Sequence, residues 1–418
     1  MRVVINRLST AGSLTGVGHY THELSQHLRS SSSSHVVDLF PNALLWPGVR
    51  AGRAVMPLVN RLRARTPRVG GWGPLRSFAL AAKGIAKGLS RAARTEARRY
   101  VQATLTHKNY DLYHEPNFIP LPCDLPTAIT IHDLSVLLYP QWHPPARVAG
   151  YLKDFRAGLA RSEFVFTPSE YVRFQVIQLL NVAPERVRCI YPGTRTTFQP
   201  MSDLEVQEGL QRLGLSRGYF LYVGAIEPRK NLSMLLKAYC SLPSAIRERH
   251  PLVLAGPWGW LTKSVSNYYE STARHLGVRH LGYVPEKTLP LLYNGARCLL
   301  FPSHYEGFGF PPIEMLACGG AVLASNIATL NETIGSQAAM LSPYDADGWR
   351  ASLLRAATDE DWIRELRRGA TQAVAGYSWQ NSAQQAWSAY SQILEQTTQE
   401  ADATSPVAQS AQNLRRAA

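Results

Sequence analysis

Short runs of β-branched and aromatic residues alternate with longer helical stretches along this chain, and the alternation starts afresh past its midpoint. No other feature constrains the fold as much. Strands joined by helical crossovers make stacked βαβ units, and such units make a parallel sheet. In the first half, Val3–Ile5, Val36–Phe40, Leu112–His114, Ala128–Ile131, Phe164–Thr167 and Val187–Tyr191 read as buried strands. In the second half the strands are Tyr219–Val223, Leu252–Ala255, His280–Leu281, Cys298–Phe301 and Ala321–Ala324. The polar stretch 200–217 separates the two series, and 418 residues exceed what one hydrophobic core usually supports. The expectation is an α/β protein of two Rossmann-like domains, 1–200 and 201–376, facing each other across a cleft. A helix over 377–395, with apolar side Ala383, Ala386, Trp387, Tyr390, Ile393 and Leu394, closes the pattern. The Ala-, Gln-, Ser- and Thr-rich tail 396–418 is expected to be disordered.

The net charge of +14 suggests nucleic acid until it is located. Residues 46–108 hold fourteen Lys or Arg against a single acid, Glu96, so the rest of the chain is nearly neutral. This segment interrupts the strand pattern and reads as an insertion of basic amphipathic helices. It lacks zinc-finger spacing, and its aromatics, Trp46, Trp72, Phe78 and Tyr100, are scattered. No nucleic-acid partner is therefore expected, although DNA binding through 46–108 stays as the rival reading. Five dispersed cysteines with no C-x-x-C pair favour free thiols in a reducing cytoplasm. No apolar run approaches the roughly 20 residues of a membrane span. The segment Met1–Asn6 reads as a first strand and not as a signal peptide.

The densest chemistry lies in Phe301-Pro302-Ser303-His304-Tyr305-Glu306-Gly307-Phe308-Gly309-Phe310-Pro311-Pro312-Ile313-Glu314. A strand turns through two glycines into a helix, with Pro312 in its first turn. Glycines let a backbone approach a ligand, and helix N-terminal amides attract phosphate. One carboxylate can accept from sugar hydroxyls and the other from a ribose diol. The plain alternative is a solvated loop acid followed by an acid that complements the helix dipole. Arg229 and Lys230, in the turn Gly224–Asn231 after a strand, could neutralise a diphosphate, or could be a solvated pair beside an Asn cap. Gly16 and Gly18, in Thr15–Tyr20, form a turn suited to phosphate or simply a tight turn. His132 sits at another strand end, as a sugar-binding or a structural histidine. Asp345-Ala346-Asp347 has the D-x-D spacing of metal-dependent enzymes, yet it opens a helix where aspartates serve as caps. No metal and no cofactor are expected.

The stretch from Glu306 to Glu314 resembles the E-x7-E motif of retaining glycosyltransferase family 4, which has the GT-B fold. Thr15–Tyr20, Ile131–Asp133, Thr167–Ser169, Tyr191–Gly193, Gly224–Asn231, Leu281–Val284 and Tyr377–Trp379 resemble family landmarks in the same order. The resemblance covers about 1–45 and 109–395. It implies that Glu306 contacts the donor sugar, Glu314 the ribose, and Arg229 with Lys230 the diphosphate. Backbone around Gly224, Gly307, Phe308 and Gly309 would face phosphate or sugar, His132 the sugar, and the Gly282-Tyr283-Val284 turn the base. It implies retention by a front-face route, with the departing phosphate helping to deprotonate the acceptor. The closing helix would cross back onto the N-terminal domain. The first half is similar to bacterial mannosyl- and rhamnosyltransferases of surface-polysaccharide assembly, so GDP-mannose is the favoured donor and a glycan or lipid-linked acceptor its partner. Family members usually have small residues after the second glutamate, where this chain has Met315 and Leu316. The insertion departs further. It is expected to meet a lipid-linked acceptor or the anionic inner membrane face, making the protein cytoplasmic and peripheral. A basic loop with no membrane role is the alternative. A GT-B-fold epimerase or phosphorylase would share the architecture.

Overall fold

A computed structural model describes residues 1–11, 14–41 and 109–403, with side chains as far as 396. The basic insertion 46–108 and the last fifteen residues of the tail fall outside this range. The chain forms two six-stranded parallel sheets. The first has the order β2-β1-β3-β4-β5-β6, with β1 Arg2–Asn6, β2 Val36–Phe40, β3 Leu112–Glu115, β4 Thr127–Thr130, β5 Phe164–Thr167 and β6 Val187–Cys189. The second has the order β12-β11-β10-β7-β8-β9, with β7 Tyr219–Val223, β8 Leu252–Ala255, β9 Val278–Gly282, β10 Ala296–Phe301, β11 Val322–Ser325 and β12 Ala339–Leu341.

The central strands of the second sheet, β7 and β10, are apolar apart from Arg297 because both of their faces are covered. Tyr219, Leu221 and Val223 of β7 join Leu299 and Phe301 of β10 in one core, over which the helix Phe310–Ala317 packs. The intervening Phe220, Tyr222, Cys298 and Leu300 enter a second core with the helices Leu232–Cys240 and Ala346–Thr358. All eleven strands expected from the pattern are present, and β12 is an addition. Its Ala-Met-Leu run has no β-branched residue and lies at a sheet edge, so it leaves no period-2 signal.

Two compact units result: Met1–Thr130 with Phe155–Val165 and the chain from Ala383 on, and Ile131–Asp154 with Phe166–Ser382. The closing helix is Trp379–Ala403, so residues 396–403, expected as disordered tail, are helical. From Ala383 onward it belongs to the first unit. There Tyr390 Oη lies 2.7 Å from His114 Nδ1, and Trp387 Nε1 donates to Ser31 Oγ at 3.0 Å. The apolar face read from the sequence is buried at Ala383, Ala386, Trp387, Tyr390 and Ile393. All five cysteines are free thiols.

A buried carboxyl also marks the first unit. Glu115, at the end of β3, accepts from Asn6 Nδ2 at 2.5 Å, Tyr113 Oη at 2.8 Å and the Asn117 amide at 3.1 Å. Burial pushes its pKa up to about 8, against the lowering effect of those three donors. Between its ordinary 4.5 and 8 the folded chain therefore retains a proton that the unfolded chain has lost, so stability falls as pH rises through that window. The melting temperature should decline from about pH 4.5 to about pH 8, and Glu115→Gln should flatten the decline. A decline that persists unchanged in that variant would assign it to another group.

Candidate active site

In the second sheet the strand order reverses between β7 and β10, so the loops leaving these two strands diverge and open a crevice at the carboxyl ends. The turn Gly224–Asn231 follows β7, and the glutamate loop follows β10. The His304 amide donates to Arg229 O at 2.8 Å and ties the two together. What the sequence presents as separate constellations is one ion cluster. Glu306 Oε2 lies 2.7 Å from Arg229 Nη1, and Glu306 Oε1 lies 2.5 Å from Lys230 Nζ. Arg229 Nε meets Glu227 Oε1 at 2.5 Å, and Arg229 Nη1 also reaches Tyr305 O at 3.1 Å.

Glu306 is 5% exposed. Burial alone would raise its pKa, but Arg229 and Lys230 outweigh it and hold the carboxyl at about 2. That displacement from 4.5 corresponds to about 3 kcal/mol in favour of the ionised form. Glu306 is thus a carboxylate around neutral pH and not a proton donor there. Its stabilising contribution is complete above about pH 4.5 and is lost as pH falls through about 2. Burial, with Arg229 beside it, lowers Lys230, whereas Glu306 and Glu227 overcome burial to raise Arg229.

The loop is held by its carbonyls. Those of Glu306, Gly307 and Phe308 accept from Thr329 Oγ1 at 2.8 Å, Ser169 Oγ at 2.8 Å and Thr333 Oγ1 at 3.1 Å. Ser169 gives the Thr167-Pro168-Ser169 landmark its physical meaning. Tyr305 Oη accepts from the Leu134 amide at 3.0 Å and donates to Gln175 Oε1 at 2.7 Å. Gly307 is obligatory: a Cβ there would stand 1.8 Å from His132 O. The structure therefore places the His132 backbone against the glutamate loop. Gly309, at φ +99°, supplies the left-handed turn into the helix Phe310–Ala317. The Phe308 ring packs into the core beside Phe310 and Tyr377, so only its backbone can face a ligand.

Glu314, in that helix, is 6% exposed and belongs to a different network. Its Oε1 lies 2.5 Å from Arg195 Nη2, and its Oε2 accepts from Tyr293 Oη at 2.7 Å. Arg195 Nη1 also meets Glu286 Oε1 at 2.5 Å. A carboxylate has about four acceptor positions, so these two donors leave room for a diol beside them. Neither Arg195 nor Tyr293 was singled out from the sequence. The nearest signal for Arg195 was the Tyr191-Pro192-Gly193 landmark two residues before it, and for Glu227 its place in the same turn as the cations. Gly224 directly follows β7, and Tyr283 follows the edge strand β9, 49% exposed. Gly16 and Gly18 open the helix Gly16–Ser30 of the other unit. Asp345 accepts from the Gly348 amide at 2.9 Å and caps the helix Ala346–Thr358, as its position suggested.

Twin six-stranded parallel sheets, with an ionised glutamate clamped by two cations at the switch point of the second, are the architecture of a GT-B glycosyltransferase. Residues 14–198 match the model of Glycosyltransferase Family 4, and residues 211–374 that of Glycosyl transferases group 1. The chain is 38% identical to O-antigen chain mannosyltransferase B of Escherichia coli over 70% of its length and 77% of that protein. It is 32% identical to the serotype-specific mannosyltransferase WbdA of E. coli over 66% of its length, and spans only 34% of that longer protein. Sucrose-phosphate synthase from Thermosynechococcus elongatus shares the fold at a TM-score of 0.68, with 20% identity and coverage of 94% of this chain and 99% of that one. The chain belongs to glycosyltransferase family 4.

Removing one member of a buried ion pair strands the other, which costs about 3–5 kcal/mol. Arg195→Met should therefore lower the melting temperature by roughly 6–20 °C in a unit of this size. A melting curve indistinguishable from wild type would show that Glu314 is not held by Arg195 in solution.

Proposed function

We propose that this glycosyltransferase moves mannose from a nucleotide diphosphate sugar, GDP-mannose favoured, to a glycan or lipid-linked acceptor of surface polysaccharide. The observation that carries the reading is the Glu306 carboxylate fixed between Arg229 and Lys230 at the sheet switch point. Its acceptor oxygens suit sugar hydroxyls. Arg229 has five N–H donors and its Nη2 carries no hydrogen bond among the described residues, while Lys230 has Nζ–H donors beyond the one on Glu306. These suit a diphosphate, helped by the backbone amides of Gly307, Phe308 and Gly309 that lead into the helix Phe310–Ala317. Glu314 would take the ribose diol, the turn at Tyr283 the base, and His132 the transferred sugar. The mannose assignment is supported by the names of the two E. coli relatives.

Transfer proceeds with retention and without a metal in this reading. The bond from the anomeric carbon to the diphosphate oxygen breaks while the acceptor oxygen bonds the same face. The acceptor proton passes to the departing phosphate, and the cations stabilise the charge that develops there. No side chain serves as base, which agrees with a Glu306 held ionised by two cations and hydrogen bonded through both oxygens. Glu306→Ala should lower transfer from GDP-mannose by roughly 100- to 1000-fold with circular dichroism unchanged. Wild-type rates in that variant would sink the assignment, and a wild-type enzyme silenced by EDTA and restored by manganese would refute the metal-free step.

No helix among the described residues is long and apolar enough to cross a membrane. The basic segment 46–108 supports peripheral contact with an anionic bilayer, each Lys or Arg near such a surface adding about 1 kcal/mol. Sedimentation with phosphatidylglycerol vesicles should carry the full chain down at low salt and release it when 46–108 is deleted. Equal binding by the two chains would refute the membrane role.

A further inference from the structure

Beside the ion cluster runs a row of aromatic rings that the donor site does not use. Tyr139 and Trp142 stack at 4.2 Å and 21°, Trp142 and His304 at 5.8 Å and 19°, and His304 and Tyr344 at 5.0 Å and 29°. The row begins half-buried and ends on Tyr344, which is 79% exposed, so one full ring face meets solvent. It is fastened at three points. Trp260 Nε1 donates to Trp142 O at 2.8 Å, the His304 amide to Arg229 O at 2.8 Å, and Asn231 Nδ2 to Pro343 O at 2.8 Å. The last two bonds attach the row directly to the turn that carries Arg229 and Lys230. His304 stands two residues before Glu306.

We infer that this row is a saccharide platform on which a pyranose ring of the acceptor glycan stacks against Tyr344, beside the candidate transfer site. The inference rests on the glycosyltransferase reading above and adds to it where the acceptor is held. A pyranose presents a face of C–H bonds that pairs with an aromatic face, while its hydroxyls point outward from the rim. Aromatic rings suit such a task because they offer a large rigid surface with few torsions to freeze. Three of the four rings are braced by one another, so Tyr344 is presented on a stiff support. Burial pushes the His304 pKa down, which keeps its imidazole neutral within the stack. His304 Nδ1 is buried within the row without a hydrogen-bond partner. Arg147 lies with its guanidinium 4.5 Å over the ring of Trp260, the residue that fastens Trp142. A nucleobase would also stack on a tyrosine. Position favours the saccharide: His304, against which Tyr344 stacks, stands two residues before Glu306 and is tied by its amide to Arg229 O, so the row adjoins the loop that would hold the transferred sugar.

The test is equilibrium binding of mannotriose to the full chain, followed by intrinsic tryptophan fluorescence, with GDP titrated in parallel. Tyr344→Ala should weaken mannotriose roughly tenfold while leaving GDP affinity unchanged, and Tyr344→Phe should restore mannotriose binding. Mannotriose affinity unaffected by Tyr344→Ala overturns the platform, as does a wild-type chain that binds no mannotriose. A loss of GDP affinity in Tyr344→Ala with mannotriose unchanged overturns it in favour of a base site. Failure of the underlying reading looks different: mannotriose binding that depends on Tyr344, in a chain that transfers from no nucleotide sugar, leaves the platform standing and removes the transferase.

Discussion

The Glu306 carboxylate, 5% exposed and met by Arg229 on one oxygen and Lys230 on the other, is the interaction around which the second unit is arranged. A lone carboxylate at that depth would cost several kcal/mol and would protonate instead. The cations come from the loop after β7 and the acid from the loop after β10, and these strands are neighbours only because the sheet order reverses between them. The parallel sheet thus determines which charges meet. Three hydroxyls from Thr329, Ser169 and Thr333 then fix the acid's loop by its carbonyls, and Gly307 makes the approach of the His132 carbonyl sterically possible.

Glu306 and Glu314 look like equivalent members of one motif, yet their surroundings differ. Glu306 is held ionised by two cations in the crevice. Glu314 shares Arg195 with Glu286 and takes a phenol, Tyr293, on its second oxygen. Burial and the adjacent Glu314 push the Tyr293 pKa well up, so the phenol stays a donor. One glutamate is therefore set chiefly by charge and the other by charge and a neutral hydrogen bond. Seven intervening residues are enough to pass from the loop to the inner side of the helix Phe310–Ala317, which is where the two environments separate.

What the sequence could convey depended on how local each signal was. Strand alternation, the glycine turn and the neighbouring Arg229-Lys230 are contiguous, and the fold and the cation–acid site follow from them. The contact between Lys230 and Glu306 spans 76 residues and that between Arg195 and Glu314 spans 119, so neither pairing leaves a trace in spacing. The resemblance put the cations and Glu306 at one donor site without pairing them, while the second pairing, which involves an arginine just past a recognised landmark, went unread. Glu227 was hidden for another reason: an acid beside two cations reads as a solvated neighbour until burial shows that it is the second clamp on Arg229. β12 and the last turns of the closing helix escaped because their composition, Ala-Met-Leu in one and Gln, Thr and Ala in the other, carries little periodicity.

Two cations and two carboxylates leave the cluster near neutrality, which is an odd composition for a site proposed to receive a diphosphate. A bare Arg-Lys pair would attract the anion more strongly, but two like charges side by side in a buried turn would repel, and each long side chain would have to be ordered on binding. Glu227 and Glu306 remove both difficulties during folding. They fix Arg229 through Nε and Nη1 and Lys230 through one Nζ donor, and leave the remaining N–H groups directed by those bonds. Affinity from net charge is exchanged for donors whose positions are already set. A reaction whose leaving group gains charge as its bond breaks benefits more from fixed donors than from strong ground-state attraction, because only the interaction that strengthens along the way lowers the barrier.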